Sequence, residues 1–443
     1  MSTPNDALIE ALLNRADAIG ASADVVLTGA KKLSLKAQNG EISEYSVAST
    51  RSIGIRLIQD AHVGMSYSES LEPNAIDRMF KTAVDNTRFT RRNADEAISA
   101  PSLSIDAQES EHNRADDAST ADKIETVLRL EKAMTERPIP AKAPYNGLVD
   151  VEYEHFVANT NGARCAQRER QVSCYTSALI DADGKQSLFY EGTGARSFPE
   201  LDIGRCIRSV YSTSLALLDG TPIETGKYDV IFSRDCLTDV LGAFGQAWSG
   251  QAAQKGMTRF KDQVGDAVAS ESLSITDANA VKGGLAYGAF DDEGFQAKET
   301  TIIGSGTLET LLHNSVSANY FNVQTTANGS RSPKGKLGVA SRHLVIGRGQ
   351  DNDPTSGTYF EIVSLQGVHS GANLVTGNFS FGAQGFLCRD GVRIQPVRGV
   401  TVASNFYSLL TRISAIGQNQ DWNNRRTLLA PIVRFSDCSV AGS

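Results

Sequence analysis

The sequence predicts an α+β protein with an N-terminal antiparallel sheet and helices, an α+β middle segment, and a glycine-rich, mainly β C-terminal domain. Three observations predict this class. Apolar and polar residues alternate with a period of two on both sides of Asn39-Gly40, a dipeptide that favours hairpin turns. Apolar residues also recur at helical spacing near the N-terminus and in the middle of the chain. After residue 223, short strand-like runs are separated by glycines.

The chain has 443 residues, which is too long for one ordinary hydrophobic core. Hydrophobic residues make up 40% and charged residues 21%, a balance typical of folded globular proteins and not of disordered chains. We therefore expect three domains. They are an N-terminal α+β domain at 1–95, a connector with a middle α+β domain at 96–222, and a β-rich domain at 223–443.

The N-terminal elements follow from their periodicity and their end signals. A first helix is predicted to begin at Thr3-Pro4, a hydroxyl cap followed by proline, and to end at Gly20. Alternation then predicts three strands, of which the first two meet at Asn39-Gly40 and the third includes Val63. Pro73 is predicted to open a second helix, because apolar residues follow it at helical spacing.

The middle segment starts with a stretch of little periodicity at 95–122, which we interpret as a connector in which Leu103 and Ile105 suit a short strand. A helix is predicted from Asp122 to Glu136, because prolines follow it directly. Turn signals then predict three strands and a closing helix, around Leu148–Ala158, Ala163–Ile180, Gln186–Ala195 and Pro199–Leu218.

The C-terminal domain is predicted to begin with a strand at Lys227–Ser233 and a helix that Asp235 caps. One face of this helix is apolar and is formed by Leu237, Val240, Leu241, Phe244 and Trp248. Later segments are predicted as six strands and one helix, at Thr301–Ile303, His343–Ile346, Phe360–Gln366, Phe379–Arg389, Val392–Val397, Thr401–Ala403 and, for the helix, Ser404–Gly417.

Charge and cysteine content narrow the functional classes. The net charge is −8, whereas binding to a nucleic-acid backbone needs a dense basic face, so we expect no nucleic-acid partner. The N-terminus lacks the pattern of a signal peptide and no apolar run is long enough for a membrane helix, so we expect a cytoplasmic protein without a membrane partner. Six cysteines without a C-x-x-C pair are interpreted as reduced, mostly buried thiols.

Common catalytic motifs are absent or incomplete. No two of the six histidines lie three to five residues apart, so no helix presents a local pair of metal ligands. Ser370 stands one place too late for the G-x-S-x-G motif, and we interpret the segment around it as a glycine-rich turn. The segment 329–336 resembles a phosphate-binding loop but has one residue too many and a proline, so we interpret it as a basic loop.

Two stretches are unusual. Phe290-Asp291-Asp292-Glu293-Gly294 places three carboxylates in a row, which favours a turn with capping carboxylates over a cation site, because consecutive acids do not converge on one ion unaided. The stretch 371–385 is dense in glycine. Glycines there would either let a peptide backbone lie close, as in strand addition, or allow tight packing at a barrel corner.

These stretches, together with the helix that carries Leu241, resemble the TldD/PmbA family, and specifically its PmbA (TldE) branch. The resemblance covers almost the whole chain. Further matching segments are Gly29–Tyr67, Asn373–Gly385, Asp390-Gly391-Val392 and Val402-Ala403-Ser404-Asn405. The catalytic branch of this family is a metallopeptidase with a His-Glu-x-x-x-His helix and a cysteine ligand near the C-terminus.

In an alignment on Lys255-Gly256, the family's two histidines and glutamate fall on Leu241, Gln246 and Gly242. The segment between Gly417 and Pro431 contains no cysteine. A hydrolytic zinc needs three protein ligands, and leucine cannot ligate. The resemblance therefore implies that this chain binds no metal and needs no cofactor of its own, and that zinc is held by a partner subunit.

The resemblance further implies a cytosolic heterodimer that acts on unfolded or leader peptides. A TldD-type subunit would supply catalysis, and this chain, inactive alone, would complete the peptide chamber. The residues expected to contact peptide are in the glycine-rich stretch: Asn373, Asn378, Phe379, Ser380 and Phe381. Two alternatives stay open. The chain could be a non-enzymatic modulator of a topoisomerase or toxin–antitoxin system, or an independent hydrolase that uses Cys388 or Ser370.

Overall fold

The computed structural model describes residues 4–108, 112, 113, 118–350 and 353–442. Thr3 and parts of the predicted connector lie outside the described residues. The elements before residue 222 are α1 (Pro4–Ala18), β1 (Ser22–Gln38), β2 (Glu41–Gln59), β3 (His62–Ser68), α2 (Pro73–Thr87), β4 (Ser104–Ala107), α3 (Thr120–Thr135), β5 (Ala141–Lys142), β6 (Gly147–Asn159), β7 (Arg164–Ala182), β8 (Lys185–Ala195), a 3-10 turn (Phe198–Glu200) and α4 (Ile203–Ala216).

The elements after residue 222 are mostly short strands. They are β9 (Gly226–Phe232), α5 (Arg234–Ala243), α6 (Gly250–Gln254), a 3-10 turn (Arg259–Asp262), β10 (Ile275–Ala278), β11 (Thr300–Gly304), β12 (Thr307–Leu308), α7 (Ser315–Phe321), β13 (Gly329–Ser330), β14 (Gly338–Val339), β15 (His343–Ile346), β16 (Thr358–Gln366), β17 (Asn378–Arg389), β18 (Val392–Asn405), α8 (Phe406–Thr411), β19 (Ile413–Ile416), β20 (Asp421–Trp422), β21 (Leu428–Ala430) and β22 (Val433–Ala441). The predicted α+β class is confirmed.

One large sheet organises the first half of the chain. Its order is β3-β2-β1-β6-β7-β4, and β5 and β8 also pair with β7. The predicted hairpin is confirmed, since Asn39 and Gly40 both have positive φ at the turn between β1 and β2. Because β1 pairs with β6, the segments predicted as domains at 1–95 and 96–222 share this sheet, and the exact boundaries stay a prediction.

Two groups of helices cover one face of this sheet. Helices α1 and α2 pack on one end, where Leu27, Ile55 and Phe156 contribute to a buried cluster. Helices α3 and α4 pack on the other end, over a second cluster that includes Leu35 and Val172. The alternation of β1 places Leu27 and Leu35 on the same face, which explains why both helical groups lie on one side.

The second half of the chain closes into a barrel. Strands β18, β17, β16, β9 and β22 follow one another, and β18 also pairs with β22, so the sheet returns to its start. Closure removes free edges from these strands. A second sheet, in the order β12-β11-β10-β15-β21-β20, lies beside a shared core that includes Trp248, Phe360, Phe381 and Phe406.

Three local predictions were wrong. The cap of α5 is Ser233, whose hydroxyl accepts from Cys236 N, whereas the Asp235 carboxylate bonds Asn424. The helix predicted at 404–417 stops at Thr411, because the following residues pair with β22 as β19. The two strands predicted at 392–397 and 401–403 form the single strand β18.

The six cysteines are free and buried, as predicted. Within the described part of the chain, no helix is long and apolar enough to cross a membrane.

The side of the N-terminal sheet that faces away from the helices packs against the C-terminal half. Val26, Val157 and Cys165 form a small buried cluster with Phe290. At Gly54, in the middle of β2, the carbonyl of Pro333 approaches so closely that a Cβ atom would overlap it. The two halves of the chain are thus in direct backbone contact at this glycine.

Replacement of Gly54 by alanine is therefore expected to destabilise the protein by about 2 kcal/mol or more, since backbone atoms have to move to relieve the overlap. The matched control is Gly242→Ala, in α5, where a Cβ would meet no described atom within 4 Å. That change should be neutral or stabilise by up to about 1 kcal/mol, because alanine favours helix. Urea unfolding of both variants tests the difference, and equal stabilities would contradict the close contact.

Candidate functional site

The first candidate site is helix α5 with the turn that follows it. Ser233 caps the helix, and Leu237, Val240 and Leu241 form its buried face. The helix ends at Ala243 instead of continuing to Trp248. Phe244 still enters the core, where its ring stacks on Phe406 with centroids 4.5 Å apart. The apolar face was predicted correctly, but only its first turns are helical.

The three positions on which the resemblance places the metal-site residues have different environments. The side chain of Leu241 is 4% exposed and belongs to the core of the C-terminal half. Gly242 is exposed, and a Cβ there would meet no described atom within 4 Å. Gln246 lies beyond the helix end, where its amide nitrogen is 3.4 Å from the carbonyl oxygen of Val339. Since the helix stops between them, Leu241 and Gln246 do not share a helical face.

The segment 417–431, in which the resemblance places a cysteine ligand, lies against the same helix. Asn424 donates from its backbone N and from Nδ2 to the carboxylate of Asp235, at 3.1 and 2.7 Å. Burial raises the pKa of Asp235 to about 6. Cys438, the remaining cysteine of this region of the sequence, is fully buried on β22, and burial raises the pKa of its thiol to about 12. A protonated, enclosed thiol does not substitute for the missing ligand.

Two buried histidines elsewhere in the chain were the next candidates for metal ligands. Burial lowers the pKa of His313 and of His343 to about 4, so both rings are neutral at physiological pH. Over the residues that the structure describes, no three His, Cys, Asp or Glu side chains are grouped so that they could hold a metal ion. The absence of a metal or cofactor from the working protein stays a prediction.

The glycine-rich stretch leads into β17, whose first residues pair with β18 on one side. On the other side, β16 pairs with β17 only from Gly382 onward, and the segment before β17 takes its place: Ser380 N donates to the carbonyl of Gly371, and Asn373 N donates to that of Asn378. Both edges at the start of β17 are therefore occupied, which leaves no free edge there for strand addition. Phe379 and Phe381 are 3% and 1% exposed and stack on each other in the core. Their expected contact with peptide is corrected to a packing role.

The polar residues of this stretch are exposed. Asn373 Oδ1 accepts from Thr376 N, and Asn378 Oδ1 accepts from Asn405 Nδ2, so both amides order the turn before β17. The side chain of Ser380 also faces outward. A role in peptide contact for Asn373, Asn378 and Ser380 stays a prediction.

Tight packing accounts for two of the glycines. A Cβ at Gly385 would overlap the carbonyl oxygen of Glu361 on β16, and one at Gly377 would overlap the ring of Tyr407. Gly377 also has a φ of +79°, which side chains rarely adopt. These contacts favour the barrel-corner interpretation over the peptide-capture interpretation.

A third region, which the sequence did not predict, is a buried charge cluster between the two halves of the chain. It is defined by Asp24, Arg56, Glu293 and Arg331, whose side chains are all at most 3% exposed. Arg56 contacts Asp24 at 2.5 Å and Glu293 at 3.6 Å, and Arg331 also pairs with Asp24. Strands β1 and β2 supply the first two residues, and the C-terminal half supplies the others.

The three consecutive carboxylates adjoin this cluster. Asp291 accepts from the backbone N of Glu293, Phe295 and Gly329, which confirms the predicted turn with a capping carboxylate. Burial and the Glu293 charge raise the pKa of Asp291 to about 8. Asp292 lies 2.9 Å from His155 on β6. The acids therefore join the two halves of the chain and are not grouped around an ion.

One sequence signal could have revealed the cluster. Arg56 interrupts the apolar run Ile53-Gly54-Ile55-Arg56-Leu57-Ile58, where an unpaired charge would be costly. A buried arginine needs acidic partners, but the sequence does not show that they come from residues as distant as Glu293.

The chain is similar to known proteins over almost its whole length. Domain models of one family match the chain at 23–87 (PmbA/TldA metallopeptidase domain 1), 113–218 (the central domain) and 225–442 (the C-terminal domain). The chain belongs to the PmbA/TldD family. A metalloprotease PmbA from Escherichia coli O157:H7 is 24% identical over 95% of this chain and 92% of its own length. A PmbA homologue from Haemophilus influenzae is 25% identical over 96% and 93%.

Solved structures of the family have the same fold. TldE from Thermococcus kodakarensis has a TM-score of 0.84 at 20% identity and covers 98% of this chain and 100% of its own. A Thermotoga maritima protein, whose description proposes that it modulates a DNA gyrase, has a TM-score of 0.88 at 22% identity, with coverage of 99% and 100%. Together with the PmbA-named relatives, the TldE structure supports the PmbA (TldE) branch for this chain.

Asp235 generates a prediction about pH. Its raised pKa means that the folded state favours the protonated carboxyl, so this residue contributes less stability as the pH rises from about 4 to about 6. Relative to Asp235→Asn, the free energy of unfolding of the unmodified protein should fall by up to about 3 kcal/mol over that range and then stay constant. Urea unfolding at several pH values tests this.

The exposed Asp17, on α1, provides the control for that measurement. Asp17→Asn removes an exposed carboxylate, so the free energy of unfolding should change with pH between 4 and 6 almost as it does in the unmodified protein. If Asp235→Asn and the unmodified protein showed the same change over that range, the raised pKa of Asp235 would be contradicted.

Restoration of the family residues should not restore a zinc site. The combined variant L241H/G242E/Q246H is expected to bind no zinc tightly, because helix α5 ends before position 246 and the cysteine ligand is missing. Leu241→His alone should destabilise the fold by about 3 kcal/mol, since it places an imidazole in the core. Metal analysis after dialysis, with a zinc-binding TldD-type protein as the positive control, measures the outcome; one firmly bound zinc per chain would refute it.

Proposed function

We propose that this chain is the non-catalytic subunit of a heterodimeric, cytoplasmic metalloprotease, whose TldD-type partner holds zinc and cleaves peptides. The observation that carries the proposal is the identity and environment of Leu241, Gly242 and Gln246. One is a core residue, one has no side chain, and one lies past the end of the helix.

The chemistry of hydrolysis supports this division of labour. Zinc lowers the pKa of its bound water, and a nearby carboxylate removes the proton as the water attacks. Position 242 offers no carboxylate, and positions 241 and 246 offer no imidazole. A family member that retains the fold but lacks these groups can still shape a shared chamber, whereas it cannot activate water by its relatives' route.

The rest of the framework is built to be stable without a metal. The position of the first histidine is part of the hydrophobic core, and the charge cluster joins the two halves of the chain. Both features would let the subunit present a fixed surface to a partner. The substrates that we propose for the assembled enzyme are unfolded peptides or leader peptides.

A non-enzymatic role as a modulator of another protein is the second candidate. The observation that favours it is the description of the Thermotoga maritima neighbour as a proposed gyrase modulator. Such a role would also need no metal. The two candidates predict different results on mixing. If the chain is a modulator, its addition to a TldD-type chain should not increase peptidase activity.

Mixing tests the proposal. The purified chain, a TldD-type protein from the same source and the mixture of both are assayed on an unfolded peptide. We expect cleavage by the mixture to exceed that of either chain alone by about tenfold or more, and to be lost with a chelator. Native mass spectrometry should show one copy of each chain and zinc on the partner only.

Two controls make the result decisive. Replacement of the partner's motif glutamate by glutamine should abolish cleavage, whereas Gly242→Ala in this chain should not change it. Activity of this chain alone that resists chelator would instead support the hydrolase alternative with Cys388 or Ser370. Stable mixtures without any gain in cleavage would refute the proposal and favour the modulator.

A further inference from the structure

The helix-bearing face of the N-terminal sheet is only partly covered. Helices α1 and α2 cover the end of this face that includes Leu27, and helices α3 and α4 cover the end that includes Leu35. Between them, β1 contributes Gly29 and Lys31 to the same face. Shallow cavities occur at this gap, which we call the inter-helix groove and define by Gly29, Lys31, Ser49, Arg51, Glu152 and Glu154.

Strand register arranges the groove in two rows of four residues. The first row is Arg51, Gly29, Glu154 and Arg168, and the second is Ser49, Lys31, Glu152 and Arg170. Gly29 has no side chain, which deepens the middle of the first row. Since alternate residues of a strand are separated by about 7 Å, the two rows form a polar strip that crosses four strands.

The carboxylates of the groove already have cationic neighbours. Glu154 lies 3.3 Å from Arg51 and 3.0 Å from Arg168, and Glu152 lies 3.5 Å from Arg170. Lys31 is exposed and forms no ion pair with any residue described in the structure. Arg170 also pairs with Asp150, which in turn pairs with Lys123, both at 2.7 Å. Among the described residues, the strip and these two neighbours have five cations and three carboxylates, a positive surplus on a chain whose net charge is −8.

A free strand edge borders the groove. Strand β3 pairs with β2 only from Ile53 to Gln59. The earlier part of β2, which carries Ser49 and Arg51, has β1 on one side, and no strand in the described part of the chain pairs with its other side. Its unpaired backbone N–H and C=O groups can bond an extended polypeptide.

We propose that the inter-helix groove binds an acidic peptide. The surplus cations would pair with its carboxylates, and the free edge of β2 would bond its backbone. A nucleic acid fits less well, because no aromatic side chain stands in either row for base stacking, and because the free edge of β2 offers backbone groups that pair with an extended polypeptide. This binding does not depend on the protease role proposed above, so the isolated chain suffices to test it.

The test is a binding measurement with labelled synthetic peptides. A peptide of alternating glutamate and serine is compared by fluorescence anisotropy with the same peptide in which glutamine replaces glutamate. The acidic peptide should bind at least about tenfold more tightly, and a rise in NaCl from about 50 to about 300 mM should weaken it. Equal affinities for the two peptides would overturn the proposal.

Three variants locate the binding. Lys31→Gln should weaken the acidic peptide by about threefold to tenfold, and Glu152→Gln should strengthen it, because one change removes a cation and the other a competing carboxylate. Lys81→Gln, at an exposed position on α2, should have no effect. If Lys31→Gln lowers the affinity for the acidic peptide and Glu152→Gln raises it, general loss of folding cannot be the cause.

Two further outcomes would count against the groove. Affinity that is the same for Lys31→Gln, Glu152→Gln and Lys81→Gln would place the binding elsewhere on the protein. A short DNA duplex at equal charge concentration provides the second outcome. If it displaced the acidic peptide, and if Lys31→Gln weakened its binding as much as that of the peptide, the groove would be a general polyanion site and the assignment to peptide would be overturned.

Discussion

The buried charge cluster is the constraint on which the arrangement of the two halves depends. Arg56 and Arg331 are almost completely removed from water, and each would cost several kcal/mol if left without an acid. Arg56 pairs with Asp24 and Glu96 of its own half and also lies 3.6 Å from Glu293 of the C-terminal half, whereas Arg331 of the C-terminal half pairs with Asp24 on β1. Arg331 therefore depends on the N-terminal half for its acid. The contact at Gly54 and the capped turn at Asp291 lie beside the same cluster.

Apolar packing holds the helix that carries Leu241. Leu241 is part of a core that also holds Phe244 and Phe406, so burial of hydrophobic surface stabilises this helix without any ligand. The ion pairs of Arg56 and Arg331 between the two halves do not involve that helix.

Local signals made much of the fold predictable, and distant contacts limited the rest. Asn39-Gly40 and the alternation beside it define a hairpin without help from other residues. By contrast, the helical spacing after Ser404 is real, but pairing of Ile413–Ile416 with β22 overrides it. The apolar face that includes Leu241 was visible in the sequence, whereas the partners of Arg56 lie far along the chain and only the fold brings them together.

The two faces of the N-terminal sheet show how one strand can carry charge for two purposes. Arg56 and Arg51 are five residues apart on β2 and face opposite sides. Arg56 is buried among acids, so its removal would leave them uncompensated. Arg51 is about half exposed, and exposed ion pairs contribute little to stability. Folding therefore accounts for the charge on the face that packs against the C-terminal half, whereas the charge between the helices costs little to keep exposed and is available for recognition.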